Sequence, residues 1–252
     1  METLVIAEPQ KVPTVGEMAA ADVRKANVFK KFGIEFCCGG NKSLQKACTD
    51  LNLDIELVEE ALVNAVSENK NYSFDFKRWQ PDFLIDYIYN QHHTYFYDEY
   101  PHISKLMDKV VKHHSKNHPP LAEVEKLFFT LERELIGHFA EEENTVFPLI
   151  KKLYHANKNG CDIREEDLKQ LTAALHEMQA EHEDAGGILK RIRFATNSYS
   201  PPAGACTSFK LLYHKLKCLE EDLHQHIHLE NNILFPKAVA LKKELEKENV
   251  LQ

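Results

Sequence analysis

HFAEEENTVFP occupies residues 138–148 and HIHLENNILFP occupies residues 226–236. Both stretches begin with His, place Glu four residues later and end in Phe-Pro at the same offset. The shared spacing is helical. On an α-helix, residues four apart lie one above the other on the same face, so each stretch offers an imidazole and a carboxylate side by side. Upstream of the first stretch, Leu131 and Leu135 lead into His138 and Glu142. Upstream of the second, Leu212, Leu216, Leu219 and Leu223 lead into His226 and Glu230, with Ile233 beyond. This is the apolar rhythm of a helix that faces a core, so the spacing predicts that both His-Glu pairs point inward.

Working outward, apolar residues recur at helical intervals along nearly the whole chain, alternating β-branched runs are lacking, and the expected class is all-α. Long helical patterns run near 81–115, 119–156, 165–197 and 205–247. They are separated by SKNHPP, NKNGCD and NSYSPPAGA, which are turn chemistry. The expected architecture is a four-helix bundle. Ahead of it, the segment from Val15 to about Val66 holds short helical patterns broken by FGIEFCCGGNKS, and is expected to be too small for much core of its own. Periodicity lapses in SENKNYSFDFKRWQP and Pro81 suits a helical first turn. The expected domains are 1–75 and 76–252.

Composition narrows the function. The chain has 252 residues, 28% of them charged, and a net charge of -8 with acidic residues interspersed among lysines, which argues against a nucleic-acid backbone as partner. No stretch reaches the roughly 20 apolar residues of a membrane span, and METLVIAEPQ is too short and too acidic for a signal peptide. The reading is a cytoplasmic protein. Its six cysteines lie at irregular spacings and do not form a disulfide framework.

Each of the remaining bundle helices supplies one further inward histidine. Tyr89, His93, Phe96, Tyr100 and Ile103 form the expected stripe of the first helix, and Leu171, Leu175, Met178, His182, Ala185 and Leu189 that of the third. The bundle thus reads as two similar hairpins, each giving a His and then His-x-x-x-Glu. A carboxylate in an apolar interior costs several kcal/mol unless compensated, and a cation compensates it. Four imidazoles and two carboxylates are too many for one tetrahedral zinc. They suit two metal ions bridged by Glu142 and Glu230, with a position open to a small ligand such as oxygen or nitric oxide.

Other histidines are assigned elsewhere. His92, His155, His214, His224 and His228 fall off the stripes and are expected at the surface. His113, His114 and His118 gather where cations suit the helix dipole. A ferritin-like arrangement would use Glu-x-x-His pairs, and Glu99-x-x-His102 and Glu221-x-x-His224 have that spacing, but both pairs fall on the far side of their helices. Glu134 and Glu181 lie beside His138 and His182, to face a channel, to orient an imidazole or to sit on the surface. Pro148 and Pro236 deny a donor to the carbonyls of Asn144 and Asn232 and are expected to bend their helices past the glutamates.

These residues resemble the hemerythrin-like di-iron domain, and AEHEDAGG, PPAGACTSFK and HIHLENNILFP are more closely similar to the iron-sulfur cluster repair di-iron proteins (RIC family). The N-terminal VGEMAAADVRKANVFKKFGIEFCCGGNKSLQKAC is similar to the short cysteine-bearing domain that precedes the bundle in that family. The resemblance implies a non-haem di-iron centre, oxo- or hydroxo-bridged, in a cytoplasmic homodimer that restores iron-sulfur proteins damaged by oxidative or nitrosative stress. It implies iron donation more than catalytic turnover. Oxygen-carrying hemerythrins use five histidines, and this set has four. A sensor or reductase of nitric oxide at the same site is the alternative.

Cys37 and Cys38 are adjacent, so a bond between them would close a strained ring, and Gly39 and Gly40 leave the backbone free to expose both sulfurs. With Ser43 capping the next helix, its dipole would favour thiolate. The pair is the expected thiol relay for iron, set against a reading as small buried hydrophobes in a turn.

Overall fold

The computed structural model describes residues 12–68 and 74–250, which fall into two compact units, Met1–Asp75 and Phe76–Gln252. The first ten residues, read above for a signal peptide, and part of the break in periodicity lie outside the described residues. No strand occurs among the described residues, and the all-α expectation holds.

In the N-terminal unit, α1 (Val15–Ala21) starts at a capping box. Thr14 Oγ1 accepts from the Glu17 backbone N–H at 3.1 Å, and the Glu17 carboxylate accepts from the Thr14 N–H at 2.8 Å. Asp22 caps α2 (Val23–Phe32), which stops at Gly33 with φ 69°, and Ser43 caps α3 (Leu44–Asp50) ahead of α4 (Ile55–Glu68). Contrary to expectation, this unit has a core of its own, in which Val15, Phe29, Ile34, Phe36, Val58 and Leu62 are buried. Four short amphipathic helices close on one another where sequence length alone argued against it.

The second unit holds the bundle. Its first helix is α5 (Pro81–Ile88), a π-turn (Tyr89–His93) and α6 (Thr94–His114); its second is α7 (Pro120–Glu141), a π-turn (Glu142–Val146) and α8 (Phe147–Asn159). The third, α9 (Glu165–Ala195), is unbroken, and the fourth is α10 (Thr207–Leu229), a π-turn (Glu230–Leu234) and α11 (Phe235–Val250). The long core below the site joins Phe96, Ile103, Leu131, Leu135, Leu189 and Leu216, among others.

Past Glu142 and Glu230, where bends are expected, the helices form π-turns. Phe147 N–H reaches back to Glu142 O and Phe235 N–H to Glu230 O, immediately before Pro148 and Pro236. The first helix has the same turn with no proline beside it, Thr94 N–H bonding Tyr89 O, so proline alone does not cause it. A π-turn adds a residue to the helical circuit and is frequent at functional sites. Here it moves the upstream inward face by one. Ile88 lies in the core at 0% exposure, whereas Tyr89, expected there, is 44% exposed.

Candidate metal centre

His93, His138, Glu142, His182, His226 and Glu230 come together in the bundle interior, all buried, the two glutamates at 0% exposure. Their ligand atoms form two groups. One is His93, Glu142, His226 and Glu230; the other is His138, Glu142, His182 and Glu230; within each, every ligand atom lies within 4.8 Å of the others. Both carboxylates belong to both groups. Glu142 presents Oε2 to His93 Nε2 at 3.2 Å and Oε1 to His138 Nε2 at 3.1 Å. Glu230 Oε2 lies 3.2 Å from both His182 Nε2 and His226 Nε2.

The imidazoles are turned so that Nε2 faces this centre. His93 Nδ1–H donates to Glu143 Oε1 at 2.8 Å, His138 Nδ1–H to Glu181 Oε2 at 2.6 Å and His182 Nδ1–H to Asn231 Oδ1 at 3.0 Å. An outer acceptor of this kind fixes the tautomer and leaves the Nε2 lone pair aimed inward, as a metal-bound imidazole requires. His138 Nε2 and His182 Nε2 stand 3.0 Å apart, within hydrogen-bonding distance, so that a proton shared between them takes the place a cation would fill. The rings are further set by aromatic neighbours, His93 stacked on Phe139 at 4.2 Å and His182 on Phe235 at 6.0 Å.

The donor set fits a metal on a direct test. Both oxygens of Glu142, both of Glu230, and Nε2 of His93 and of His226 are buried without a hydrogen-bond partner. Native interiors seldom leave such atoms unsatisfied, and each one costs about 1–3 kcal/mol, more when charged. Six of them converging on one point is the pattern that cations would complete.

The buried carboxylates and imidazoles shift one another's proton affinities. Burial lowers His138, but Glu142, Glu181 and Glu230 outweigh it and push its pKa up to about 10; burial likewise lowers His93, and Glu142 with Glu230 reverses the shift upward. Burial and the Glu230 charge raise Glu142, yet His138 and His93 hold it below its ordinary value. Burial raises Glu230, and His182 and His138 bring it below in the same way. Burial keeps His226 far below its ordinary value, with the imidazoles of His93, His92 and His182 adding to the effect against Glu142.

A cavity of about 270 Å³ opens beside the centre, lined by His138, His182 and His226 and rimmed by Glu134, Glu181 and Asp184. Of the readings left open for Glu181, two hold together: it orients His138 and faces the cavity. Glu134 is exposed at the rim. The ferritin-like pairs stay outside, with His102 and Glu221 exposed and Glu99 and His224 half-buried, and neither pair is in either ligand group.

Some residues stand elsewhere than expected. His92 and His228 are buried, not solvent-facing, at 4% and 2% exposure. The π-turn at 89–93 widens the helix enough to bring His92 in beside His93, where its Nδ1–H donates to Asp222 Oδ1 at 2.9 Å. His228 accepts from Asn232 Nδ2 at 3.1 Å, and burial, with Lys77 nearby, lowers it to about 4. Glu143 and Asn231 were not singled out in the sequence, although each directly follows a carboxylate ligand.

The cysteine pair departs from expectation as well. Ser43 does cap α3, but Cys37 is buried and Cys38 half-buried, with their sulfurs 3.8 Å apart and no disulfide. The tight loop explains this. Gly40 packs so closely that a Cβ there would lie 2.2 Å from Phe36 O, and Gly16 N–H donates to Gly40 O at 2.8 Å. The glycines draw the loop onto α1 instead of lifting it into solvent. The Cys38 hydrogen bond lowers the Cys37 pKa against the opposing effect of burial.

Comparison with known proteins follows the same division. Residues 84–238 match the hemerythrin HHE cation binding domain, and residues 11–66 match a domain of unknown function, DUF542 (ScdA_N). The iron-sulfur cluster repair protein ScdA of Staphylococcus haemolyticus is 32% identical over 224 residues, which span 88% of this chain and 96% of the relative. The iron-sulfur cluster repair protein YtfE of Edwardsiella ictaluri is 32% identical over 226 residues, 90% of this chain and 96% of the relative. No helix among the described residues is long and apolar enough to cross a membrane. With both domains matched in order and the relatives covered almost end to end, the chain belongs to the ScdA/YtfE family of iron-sulfur cluster repair proteins with a hemerythrin-type cation-binding domain.

Proposed function

We propose that the bundle binds two iron ions and that the protein gives up iron to rebuild damaged iron-sulfur clusters. His93 and His226 serve one ion, His138 and His182 the other, and Glu142 and Glu230 bridge them. The observation that carries this reading is the pair of buried ligand groups sharing both carboxylates, whose four oxygens have no hydrogen-bond partner. Imidazole and carboxylate donors in this ratio suit iron, and both relatives are named for cluster repair. Iron held by these six residues would supply redox-active, Lewis-acidic ions, and iron is also the cargo.

The chain's own residues do the rest. Glu143, Glu181 and Asn231 hold three imidazoles in the ligating tautomer, Phe139 packs on the His93 ring, and Leu135 and Leu223 give the cavity apolar walls. Glu134, Glu181 and Asp184 give the cavity an acidic rim that attracts a cation on its way in or out. Iron passage by way of Cys37 and Cys38 is part of the proposal, supported by their adjacency and the lowered Cys37 pKa, with Cys38 as the more accessible sulfur. A cytoplasmic, homodimeric setting rests on the family resemblance.

The test is transfer. Iron-loaded protein mixed with a cluster enzyme inactivated by peroxide should restore its activity while losing its own iron stoichiometrically. Restoration without iron loss, or iron loss without restoration, would reject donation. The cavity against three ligand imidazoles also favours a second reading, in which oxygen or nitric oxide binds there; turnover of nitric oxide with an electron donor, without cluster repair, would select it.

A further inference from the structure

The two hairpins repeat more than their ligands. In each, the residue after the carboxylate ligand accepts from the first histidine of the same hairpin: Glu143 from His93, and Asn231 from His182. Across hairpins, the residue before His182 is Glu181, which accepts from His138. The residue before His93 is His92, whose ring stacks on His226 with centroids 5.8 Å apart and planes inclined by 23°. His92 therefore stands to His226 as Glu181 stands to His138.

The substitution breaks the pattern. His92 spends its Nδ1–H on Asp222, and both His92 Nε2 and His226 Nδ1 are buried with no partner. An imidazole that ligates through Nε2 must carry its proton on Nδ1. At His93, His138 and His182 that proton is donated to an acceptor; at His226 it has none. With no ion present, the proton of His226 can sit on Nε2 instead, 3.2 Å from Glu230 Oε2. Binding an ion through Nε2 thus fixes the His226 proton on an Nδ1 that has no acceptor, which release relieves.

We propose that the two metal positions are unequal, and that the ion held by His93 and His226 leaves first while the one held by His138 and His182 is retained. This rests on the two-ion reading above. The step transfers no electrons: a ferrous ion exchanges its imidazole and carboxylate donors for those of a chelating recipient, and the His226 proton moves from Nδ1 to Nε2. The cavity reaches His226 as well as His138 and His182, so the outlet is common to both positions and the difference between them rests on the His226 Nδ1.

The experiment uses the full chain loaded anaerobically with two equivalents of ferrous iron and challenged with ferrozine. One equivalent should leave quickly and one slowly, and a crystal taken at one equivalent should show anomalous scattering between His138 and His182. His92→Gln offers His226 an amide oxygen where His138 has Glu181, and keeps an N–H for Asp222. It should slow the fast phase about 10–100-fold, the usual effect of an outer-sphere acceptor. Loss of both ions at one rate, residual iron at His93 and His226, or an unchanged fast phase in a two-iron His92→Gln protein would overturn the proposal. If the variant fails to fold by circular dichroism, the release kinetics and the crystal of the unaltered protein decide. Binding of fewer than two ions by the unaltered protein would remove the two-ion reading itself, and this proposal with it.

Discussion

The bundle and the N-terminal unit each bury ionisable side chains, but among the described residues those left without partners lie in the bundle. Glu142 and Glu230 are wholly enclosed with all four oxygens unbonded, whereas Cys37 is enclosed with the Cys38 sulfur 3.8 Å away. A thiol behaves in a core as a small hydrophobe; an unpaired carboxylate does not, and breaking a buried pair costs about 3–5 kcal/mol. Burial alone therefore says little about the cysteines and a great deal about the glutamates. The bundle itself supplies a control. Glu220 and Asp167 are also buried carboxylates, but Arg193 reaches the first, and Arg164 with Lys152 the second, so neither calls for an ion.

The largest expected effects fall on the bundle. Glu142→Leu or Glu230→Leu should reduce the iron content to one ion or none while leaving helicity intact, because a leucine fills the core position and only the metal needs the carboxylate. Iron analysis beside circular dichroism checks this, and two ions per chain in both variants would refute the assignment. Next come the histidines. His93→Gln and His182→Gln should disturb both metal content and the optical spectrum, whereas His102→Gln and His224→Gln should change neither. A reversed pattern would restore the ferritin-like arrangement.

Much of this was legible in the sequence because a helix has a fixed period. His93, His138, His182 and His226, with their glutamates, could be placed inside from the spacing of apolar residues alone. The period fails where the helix departs from it. Three π-turns shift the register, and the one at Tyr89–His93 accounts for the exposure of Tyr89 and the burial of His92. Glu143 and Asn231 act across the bundle, at separations of 50 and 49 residues from their histidines, which no local pattern encodes. Comparing the two hairpins position by position would have flagged them, together with His92 and Glu181. The cysteine loop departs for a different reason: glycine in a sequence suggests conformational freedom, and at Gly40 it serves close packing.

That loop gives the prediction that breaks the comparison from the other side. In Gly40→Ala the new Cβ meets the Phe36 carbonyl, which is backbone and cannot rotate away. Overpacking of this kind costs about 1–3 kcal/mol. Thermal unfolding should show the N-terminal unit weakened while the bundle keeps its iron; loss of iron would show that the units depend on each other for metal binding. A milder change is the Cys37→Ser, Cys38→Ser pair, which keeps size but exchanges a soft sulfur for a hard hydroxyl. It should retain two irons yet fail to repair a damaged cluster. Full repair by this variant would take the thiols off the path.

The smallest effect belongs to Asp167, the buried carboxylate that has protein partners. Hydrogen bonds from Arg164 and Lys152, opposed by burial, hold its pKa well below the ordinary 3.8 and tie α8 to the start of α9. A carboxyl group whose folded-state pKa is depressed stabilises the fold above its unfolded-state pKa and loses that contribution as pH falls. Asp167→Asn should therefore lower stability at neutral pH. Lys152 and Arg164 reach Asp167 from solvent, so the loss is about 1 kcal/mol or less. In urea unfolding of the metal-free protein, the gap between the variant and the unaltered chain should narrow as pH drops below the ordinary aspartate range. Iron content should not change. A gap independent of pH would mean that packing, not the ion pairs, holds this corner. Loss of iron in Asp167→Asn would mean that a buried carboxylate with cationic partners matters to the metal after all, and the contrast with Glu142 and Glu230 would fail.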